Sequence, residues 1–193
     1  MAQGPRRLSR ALVVLVVVAL AGCGGGEAVE PERSTFFVDA PPRITGDTPV
    51  EIYNAMVDRI DYDHEAEELT RMTPGQRALY ALNAATDEIN NGGFSQYYWN
   101  SSGDLATTAI DGARLVGAKP YEQLLRGGAA LFPDGRVPTE RARRQELVDS
   151  GEVPEGKLSA LDERWFQAEE RRPLHYYLAA YIRHHPDEFF RGN

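Results

Sequence analysis

Apolar residues recur at intervals of three and four from Thr48 to the C-terminal end of the chain, a spacing typical of amphipathic helices. Few segments show the period of two that a half-buried strand requires. The pattern therefore predicts a single compact all-α domain of several helices. The apolar positions assigned to buried helix faces are Ile52, Met56, Val57 and Ile60; Leu79, Leu82 and Ile89; Leu105, Ala109, Ala113 and Val116; Leu124, Leu125 and Leu131; Leu158, Leu161 and Trp165; and Leu174, Tyr177, Leu178, Tyr181 and Ile182.

Local signals mark where several helices begin and end. The strings Thr48-Pro49-Val50-Glu51 and Thr73-Pro74-Gly75-Gln76 both predict a capping box, with a threonine cap, a proline in the first turn and a side chain that reaches back to the cap. Asn91-Gly92-Gly93 is predicted to end the helix that Thr73 opens, because glycine adopts the left-handed conformation found at helix C-termini. Gly117 is predicted to end a later helix, and residues 139–149 are predicted to form a charged helix.

The first 22 residues differ from the rest of the chain. Arg6, Arg7 and Arg10 are the only charged side chains before Cys23, and residues 11–22 are an unbroken run of apolar and small residues. A bilayer-spanning helix needs about 20 such residues, so this run is too short. A basic start, a short apolar core and small residues at its end predict a signal peptide over residues 1–22.

The string Leu20-Ala21-Gly22-Cys23 resembles the bacterial lipoprotein processing site, where the cysteine sulfur receives a diacylglycerol and becomes the new N-terminus. The resemblance implies a lipid on Cys23 and a place in the bacterial cell envelope. In a Gram-negative organism, Gly24 favours the outer membrane over the inner one, and the protein would lie on its periplasmic face. In a Gram-positive organism it would lie on the outer face of the cell membrane. The alternative is an ordinary secretory signal with a chance cysteine. Since Cys23 is the only cysteine, the domain has no internal disulfide.

Residues 23–47 are predicted to be the lipidated cysteine followed by a flexible tether, which leaves residues 48–193 as the folded domain. Gly24-Gly25-Gly26 opens this segment, and polar residues and prolines follow without a helical period. Phe36-Phe37-Val38 is its one apolar spot and therefore the one part expected to dock on the domain. It is not predicted to be a strand.

The chain is acidic, with 29 acidic and 21 basic residues, and three of the arginines lie in the predicted signal peptide. This balance disfavours direct binding of nucleic acid, because phosphate binding requires a basic surface. It favours solubility and basic partners. An ordinary solvated acidic surface explains the same composition.

The densest group of amides, glycines and aromatic residues lies within residues 88–103, and two interpretations of it stay open. In the first, the glycines reverse the chain, Phe94, Tyr97 and Tyr98 pack on one face of a following helix, and the amides satisfy helix ends. Asn100 then ends that helix, and Ser101 or Ser102 caps the next. In the second, the group is a recognition surface, since amides and tyrosines are common at interfaces. The candidate residues are Asn90, Asn91, Gly92, Gly93, Phe94, Gln96, Tyr97, Tyr98 and Asn100.

The same segment resembles the signature of the DNA-mimic-protein-nineteen-like family, a bacterial group otherwise labelled a domain of unknown function. An Asn-Gly-Gly-Phe, a glutamine, two aromatics and an Asn-Ser-Ser/Thr-Gly occur there in this order, and the resemblance extends over roughly residues 50–190. The member that names the family mimics DNA with acidic side chains and occupies a DNA-binding regulator. We do not carry that role over, because a fold does not fix a function and this chain is predicted to be exported away from DNA.

Other chemistry finds little support in the sequence. Residues 61–68 combine His64 with several carboxylates but lack the glycine and the spacing of a calcium loop, so an acidic helix end is expected there and no metal site. No phosphate loop, dinucleotide fingerprint, zinc-protease motif or Gly-x-Ser-x-Gly occurs, and no cofactor is predicted. The basic residues Arg136, Arg141, Arg143 and Arg144 are expected to pair with Glu140 and Glu146.

These observations predict a non-enzymatic interaction domain, tethered to a membrane by Cys23, that acts on another envelope protein. One alternative is an envelope enzyme, such as a hydrolase, that uses Glu88 with Asn90 and Asn91. Such an enzyme would gather Glu88, a histidine and amides in a deep pocket, whereas a binder would show a flat or grooved acidic or aromatic patch. Another alternative is an acidic immunity-like protein or DNA mimic that blocks a basic partner.

Overall fold

The computed structural model describes residues 36–61 and 65–191, and in this part of the chain the regular elements are eight α-helices. The prediction of an all-α domain is confirmed. Short 3₁₀ turns follow α3, α5 and α8, at Ser101–Leu105, Pro133–Gly135 and Pro186–Glu188. The helices are α1 (Thr48–Val57), α2 (Glu65–Arg71), α3 (Pro74–Trp99), α4 (Ala106–Leu115), α5 (Lys119–Ala129), α6 (Arg141–Asp149), α7 (Glu155–Arg171) and α8 (Leu174–His184).

The long helix α3 lies at the centre and packs against α1, α4, α6, α7 and α8. Its predicted inward positions Leu79, Leu82 and Ile89 are fully buried. The predicted capping box at its start is confirmed. The Thr73 Oγ1 atom accepts from the Gln76 N–H at 3.1 Å, and the Thr73 N–H donates to Gln76 Oε1 at 3.1 Å.

The capping box predicted at Thr48 is wrong. Thr48 is the first residue of α1, the cap is Asp47, and no side-chain hydrogen bond caps this helix. The Thr48 Oγ1 atom instead accepts from the Thr45 N–H at 2.8 Å, and Glu51 stays exposed. The hydroxyl therefore stabilises the turn before α1. Which group it binds depends on how residues 44–47 pack.

The apolar spot in the predicted tether contacts the domain. Phe36 is fully buried in the core. Val38 forms an isolated parallel bridge with Phe190, in which the Val38 N–H donates to Phe189 O at 3.0 Å and the Arg191 N–H donates to Val38 O at 2.9 Å. Residues from Phe36 onward are thus tied to the C-terminal end of the described chain. The predicted signal peptide, Cys23 and the first part of the tether lie outside the described residues.

The acidic string at residues 61–68 leads into α2, which begins at Glu65 with three glutamates in its first turn. This agrees with an acidic helix end, although His64 lies outside the described residues. Within residues 36–61 and 65–191, no helix is long and apolar enough to cross a membrane.

Candidate recognition groove at the break in α3

The two glycines of the candidate segment break α3 rather than end it. Gly92 has φ −154° and ψ 22°, and Gly93 has φ 74° and ψ −177°, after which the chain returns to helical geometry as far as Trp99. The Gly93 values fall in a region that is essentially restricted to glycine. Helical geometry therefore stops where the sequence predicts the helix to end, and it resumes at Phe94.

Asp162 on α7 holds that break. Its Oδ1 atom accepts from the Phe94 N–H at 2.7 Å, a donor that the break deprives of a helical partner. A Cβ atom at Gly93 would lie 2.5 Å from Asp162 Oδ2, so the position also requires a glycine for close approach. Burial raises the pKa of Asp162 above its usual range, and the hydrogen bond from Phe94 opposes this only in part.

The aromatic residues of the segment form part of the core, as the first interpretation predicted. Phe94, Tyr97 and Tyr98 share one buried face. Phe94 meets the Trp165 ring edge-on at 5.8 Å between centroids, and burial raises the pKa of both tyrosines. These three side chains stabilise the domain and are inaccessible to a partner.

The amides of the segment do not satisfy helix ends, contrary to the prediction. Gln96 Nε2 donates to Glu88 Oε2 at 2.7 Å, Asn100 Nδ2 donates to the same oxygen at 2.8 Å, and Ser102 Oγ donates to Glu88 Oε1 at 3.2 Å. Asn90 Oδ1 accepts from the Trp165 indole at 3.2 Å. The amides instead bridge the two halves of the broken helix through the Glu88 carboxylate, which a local sequence pattern does not reveal.

Asn100 ends α3, as predicted, but no serine side chain caps the next element. Asn100 is the C-terminal cap of α3, and the 3₁₀ turn and α4 that follow lack a side-chain capping bond. The carbonyls at the end of α3 are satisfied from α6. Arg144 Nε donates to Tyr98 O at 3.0 Å, and Arg144 Nη2 donates to Asn100 O at 3.0 Å.

Arg144 belongs to the predicted basic patch of Arg136, Arg141, Arg143 and Arg144, yet its side chain is fully buried. Its Nη1 atom also donates to Pro138 O at 3.0 Å and Thr139 O at 2.9 Å, and its guanidinium forms an ion pair with Asp104. Of the predicted pairings in that patch, Arg143 does bind Glu146, at 2.6 Å. The available signal for Arg144 was its place three residues before the buried Leu147 on one face of α6.

The exposed side of the break forms an open groove, the amide groove. Trp99 lies in it with 41% of its surface exposed, although a large aromatic side chain is usually mostly buried. Its indole N–H donates to Asp149 Oδ1 at 3.1 Å, and the Arg141 guanidinium lies 5.7 Å from its ring centroid. The sequence analysis did not single out Trp99. The groove is lined by Asn91, Gly92, Ser95, Gln96, Trp99, Asn100 and Glu155.

The Glu88 carboxylate beside the groove is engaged within the chain. Both carboxylate oxygens of Glu88 already accept hydrogen bonds from side chains of this chain, and none of those donors is a histidine. Asp87 next to it has a pKa raised by burial and then by the Glu88 charge, yet its side chain does not line the groove. Across the part of the chain that the structure describes, no three His, Cys, Asp or Glu side chains are placed to hold a metal.

A family model described as DMP19-like protein matches residues 70–185, which is more than half of the chain. The matched span contains the break in α3, the Glu88 bonds, Asp162 and Arg144. No curated protein and no solved structure matches the chain significantly.

Proposed function

This chain belongs to the DMP19-like family, and from that premise we propose that it is a non-enzymatic interaction domain of the bacterial cell envelope. In this proposal a lipid on Cys23 tethers the domain to the membrane, and the amide groove binds a segment of another envelope protein. The exposed Trp99 is the observation that carries this proposal. Its backbone carbonyl accepts from Gln145 Nε2 at 3.1 Å, and its indole is held by Asp149. A preordered, exposed tryptophan is the kind of side chain that dominates binding energy at interfaces.

The residues around Trp99 define the chemistry of the partner. Asn91 is exposed and offers an amide that can both donate and accept hydrogen bonds. Glu155 contributes a carboxylate to the opposite wall, from the start of α7. A peptide segment with a basic side chain suits this combination, because the amide can pair with its backbone and the carboxylate with its charge.

The occupied Glu88 supports binding over hydrolysis. A general base must reach the proton that it removes, whereas the Glu88 oxygens bind Gln96, Asn100 and Ser102. These bonds hold the two halves of α3 at a fixed angle. The carboxylate thus shapes the groove in this proposal and does not react.

Site-specific photo-crosslinking in the native envelope tests the proposal. A photoreactive residue at Asn91 should give a discrete adduct with one envelope protein, since that side chain is exposed in the groove. The matched control is the same residue at Asn54, an exposed asparagine on α1. Adding Trp99→Ala to the Asn91 probe should lower the adduct yield at least tenfold without changing the far-ultraviolet circular dichroism. No adduct from Asn91, or the same adducts from Asn54, would refute the groove as the binding site.

A further inference from the structure

A second surface site is formed where α5, α7 and the start of α8 meet. The cleft there has a volume of about 200 Å³. Its floor includes the rings of Tyr121 and Tyr177, and its rim carries Arg164, Arg171 and Arg172. Neither the family match nor the proposed function assigns a role to this cleft, and the amide groove shares no residue with it.

Unlike several other arginines in the described part of the chain, the three rim arginines lack a carboxylate partner. Within residues 36–61 and 65–191, none of the three forms an ion pair. By contrast, Arg71 pairs with Glu68 at 3.2 Å, and Arg126 pairs with Glu122 at 3.0 Å. In a chain with more acidic than basic residues, three adjacent unpaired guanidinium groups are an unusual concentration of positive charge.

The sequence of α7 explains why two of these arginines are unpaired. Arg164 and Arg171 are seven residues apart and therefore share one face of the helix. The positions three and four residues from them on this helix are Ala160, Leu161, Gln167 and Ala168, and none of these is acidic. The usual intrahelical ion pair is thus unavailable on this face.

Two acidic side chains close to the cleft bind groups other than the rim arginines. Glu122 on α5 binds both Arg114 and Arg126 at 3.0 Å. Glu169 on α7 accepts from the Leu174 N–H at 3.0 Å and so satisfies the first amide of α8. The Glu169 carboxylate also faces the Tyr121 hydroxyl, and burial followed by this carboxylate raises the pKa of that tyrosine. Neither carboxylate therefore forms an ion pair with the three rim arginines.

Arg172 is held in place by the two tyrosines. Its guanidinium lies 4.1 Å from the centroid of the Tyr177 ring. The Tyr121 hydroxyl donates to Arg172 O at 2.9 Å, which fixes the backbone of the same residue. A guanidinium that is already ordered loses less entropy when it binds an anion.

We propose that this cleft binds a phosphate group. Guanidinium groups match phosphate oxygens through paired hydrogen bonds, and three of them can neutralise a doubly charged anion. Gln123 and Gln167 supply further donors on the two walls. The phosphate belongs either to a free small molecule or to the headgroup of an anionic phospholipid, and both present the same chemistry to the arginines.

Isothermal titration of the full-length protein with inorganic phosphate and with glycerol 3-phosphate tests the first source. Co-sedimentation with phosphatidylglycerol vesicles, compared with phosphatidylcholine vesicles at about 0.15 M salt, tests the second. The test variant is Arg164→Gln/Arg171→Gln, and the control is Arg43→Gln/Lys157→Gln, which removes the same charge from two exposed residues outside the cleft. All variants keep residues 1–23, so membrane contacts made by that segment cancel in the comparison.

We expect the test variant to bind at least tenfold more weakly than the wild type, with the control unchanged. Binding of free phosphate assigns the cleft to a small molecule, and binding of phosphatidylglycerol vesicles alone assigns it to a lipid headgroup. Loss of binding in the control to the same extent would overturn the proposal, as would equal affinity for acetate at the same ionic strength. Absence of binding in both arms would also overturn it. Because the amide groove is intact in the test variant, crosslinking from Asn91 stays unchanged, and failure of one proposal does not imply failure of the other.

Discussion

Gly93 has a backbone conformation that other residues rarely adopt, with φ 74° and ψ −177° and the Asp162 carboxylate 2.5 Å from where a Cβ atom would lie. A side chain in this region costs about 1–3 kcal/mol before any clash is counted. We predict that Gly93→Ala lowers the free energy of unfolding by more than Gly117→Ala, as measured by denaturant titration. Gly117 is the matched control, because it has φ 73° but open space around it and should lose only about 1–2 kcal/mol. Equal losses would mean that α7 does not hold the break.

The contribution of Asp162 to stability should depend on pH. Burial raises its pKa in the folded protein, so the folded state binds a proton at this group more tightly than the unfolded chain does. The group therefore adds stability below its unfolded pKa of about 3.9, and this contribution is lost as the pH rises through the folded pKa. Asp162→Asn keeps an acceptor oxygen for the Phe94 N–H and removes the titration. We expect this variant to be at least as stable as the wild type at pH 7. As the pH falls towards 4, the stability of the wild type relative to the variant should increase.

Thermal unfolding of both proteins at several pH values measures that difference. The control is Asp162→Ala, which leaves the Phe94 N–H without a partner and should lose about 1–3 kcal/mol at neutral pH. If the stability of the wild type relative to Asp162→Asn instead increased as the pH rises, the pKa of Asp162 would not be raised in the folded protein.

Among the helices, α6 is attached to the end of α3 through one buried side chain. Arg144 donates to the carbonyls of Tyr98 and Asn100 and to those of residues 138 and 139, and it pairs with Asp104. We predict that Arg144→Lys lowers the free energy of unfolding by about 3 kcal/mol or more, because an ammonium cannot reach these acceptors together and leaves buried groups unpaired. Hydrogen exchange of the α6 amides should accelerate as well.

The neighbouring exposed residue serves as the control for that change. Arg143 pairs with Glu146 on the surface of α6, so Arg143→Lys should change stability by less than about 0.5 kcal/mol. If the two variants unfold alike, Arg144 does not hold α6 in place.

For the whole molecule, the beginning and end of the described chain meet. Val38 pairs with Phe190 beside the buried Phe36, so the segment that leads to the predicted anchor joins the domain at its C-terminal end. If Cys23 carries the lipid, Cys23→Ser should abolish incorporation of labelled palmitate and release the protein from the membrane fraction. The fold should be unaffected, because Cys23 lies outside residues 36–191 that build the described core. Equal labelling of variant and wild type would rule out this anchor.

The sequence by itself determined most helices and their buried faces, because spacings of three and four residues express helix geometry locally. The exceptions are α2, which buries no residue and has no such pattern, and Ile60 and Leu131, which lie beyond the ends of α1 and α5. The capping box at Thr73, the place where helical geometry stops at Gly92 and Gly93, and the shared face of Phe94, Tyr97 and Tyr98 follow from residues within a few positions. The family also followed from the sequence, since the matched residues 70–185 include the segment at 88–103 that carries the resemblance.

The tertiary structure alone decided which partners the polar side chains find. Asp162 is 68 residues from the Phe94 N–H that it accepts from, and Arg144 is 46 residues from the Tyr98 carbonyl. Hydrogen bonds across such separations depend on how helices pack, and no periodic pattern encodes them. For the same reason Trp99 stays at the surface while Trp165 is buried. The Thr48 hydroxyl and the Gln96 amide have partners only three and eight residues away, Thr45 and Glu88, but a helix-end role was equally open to them in the sequence.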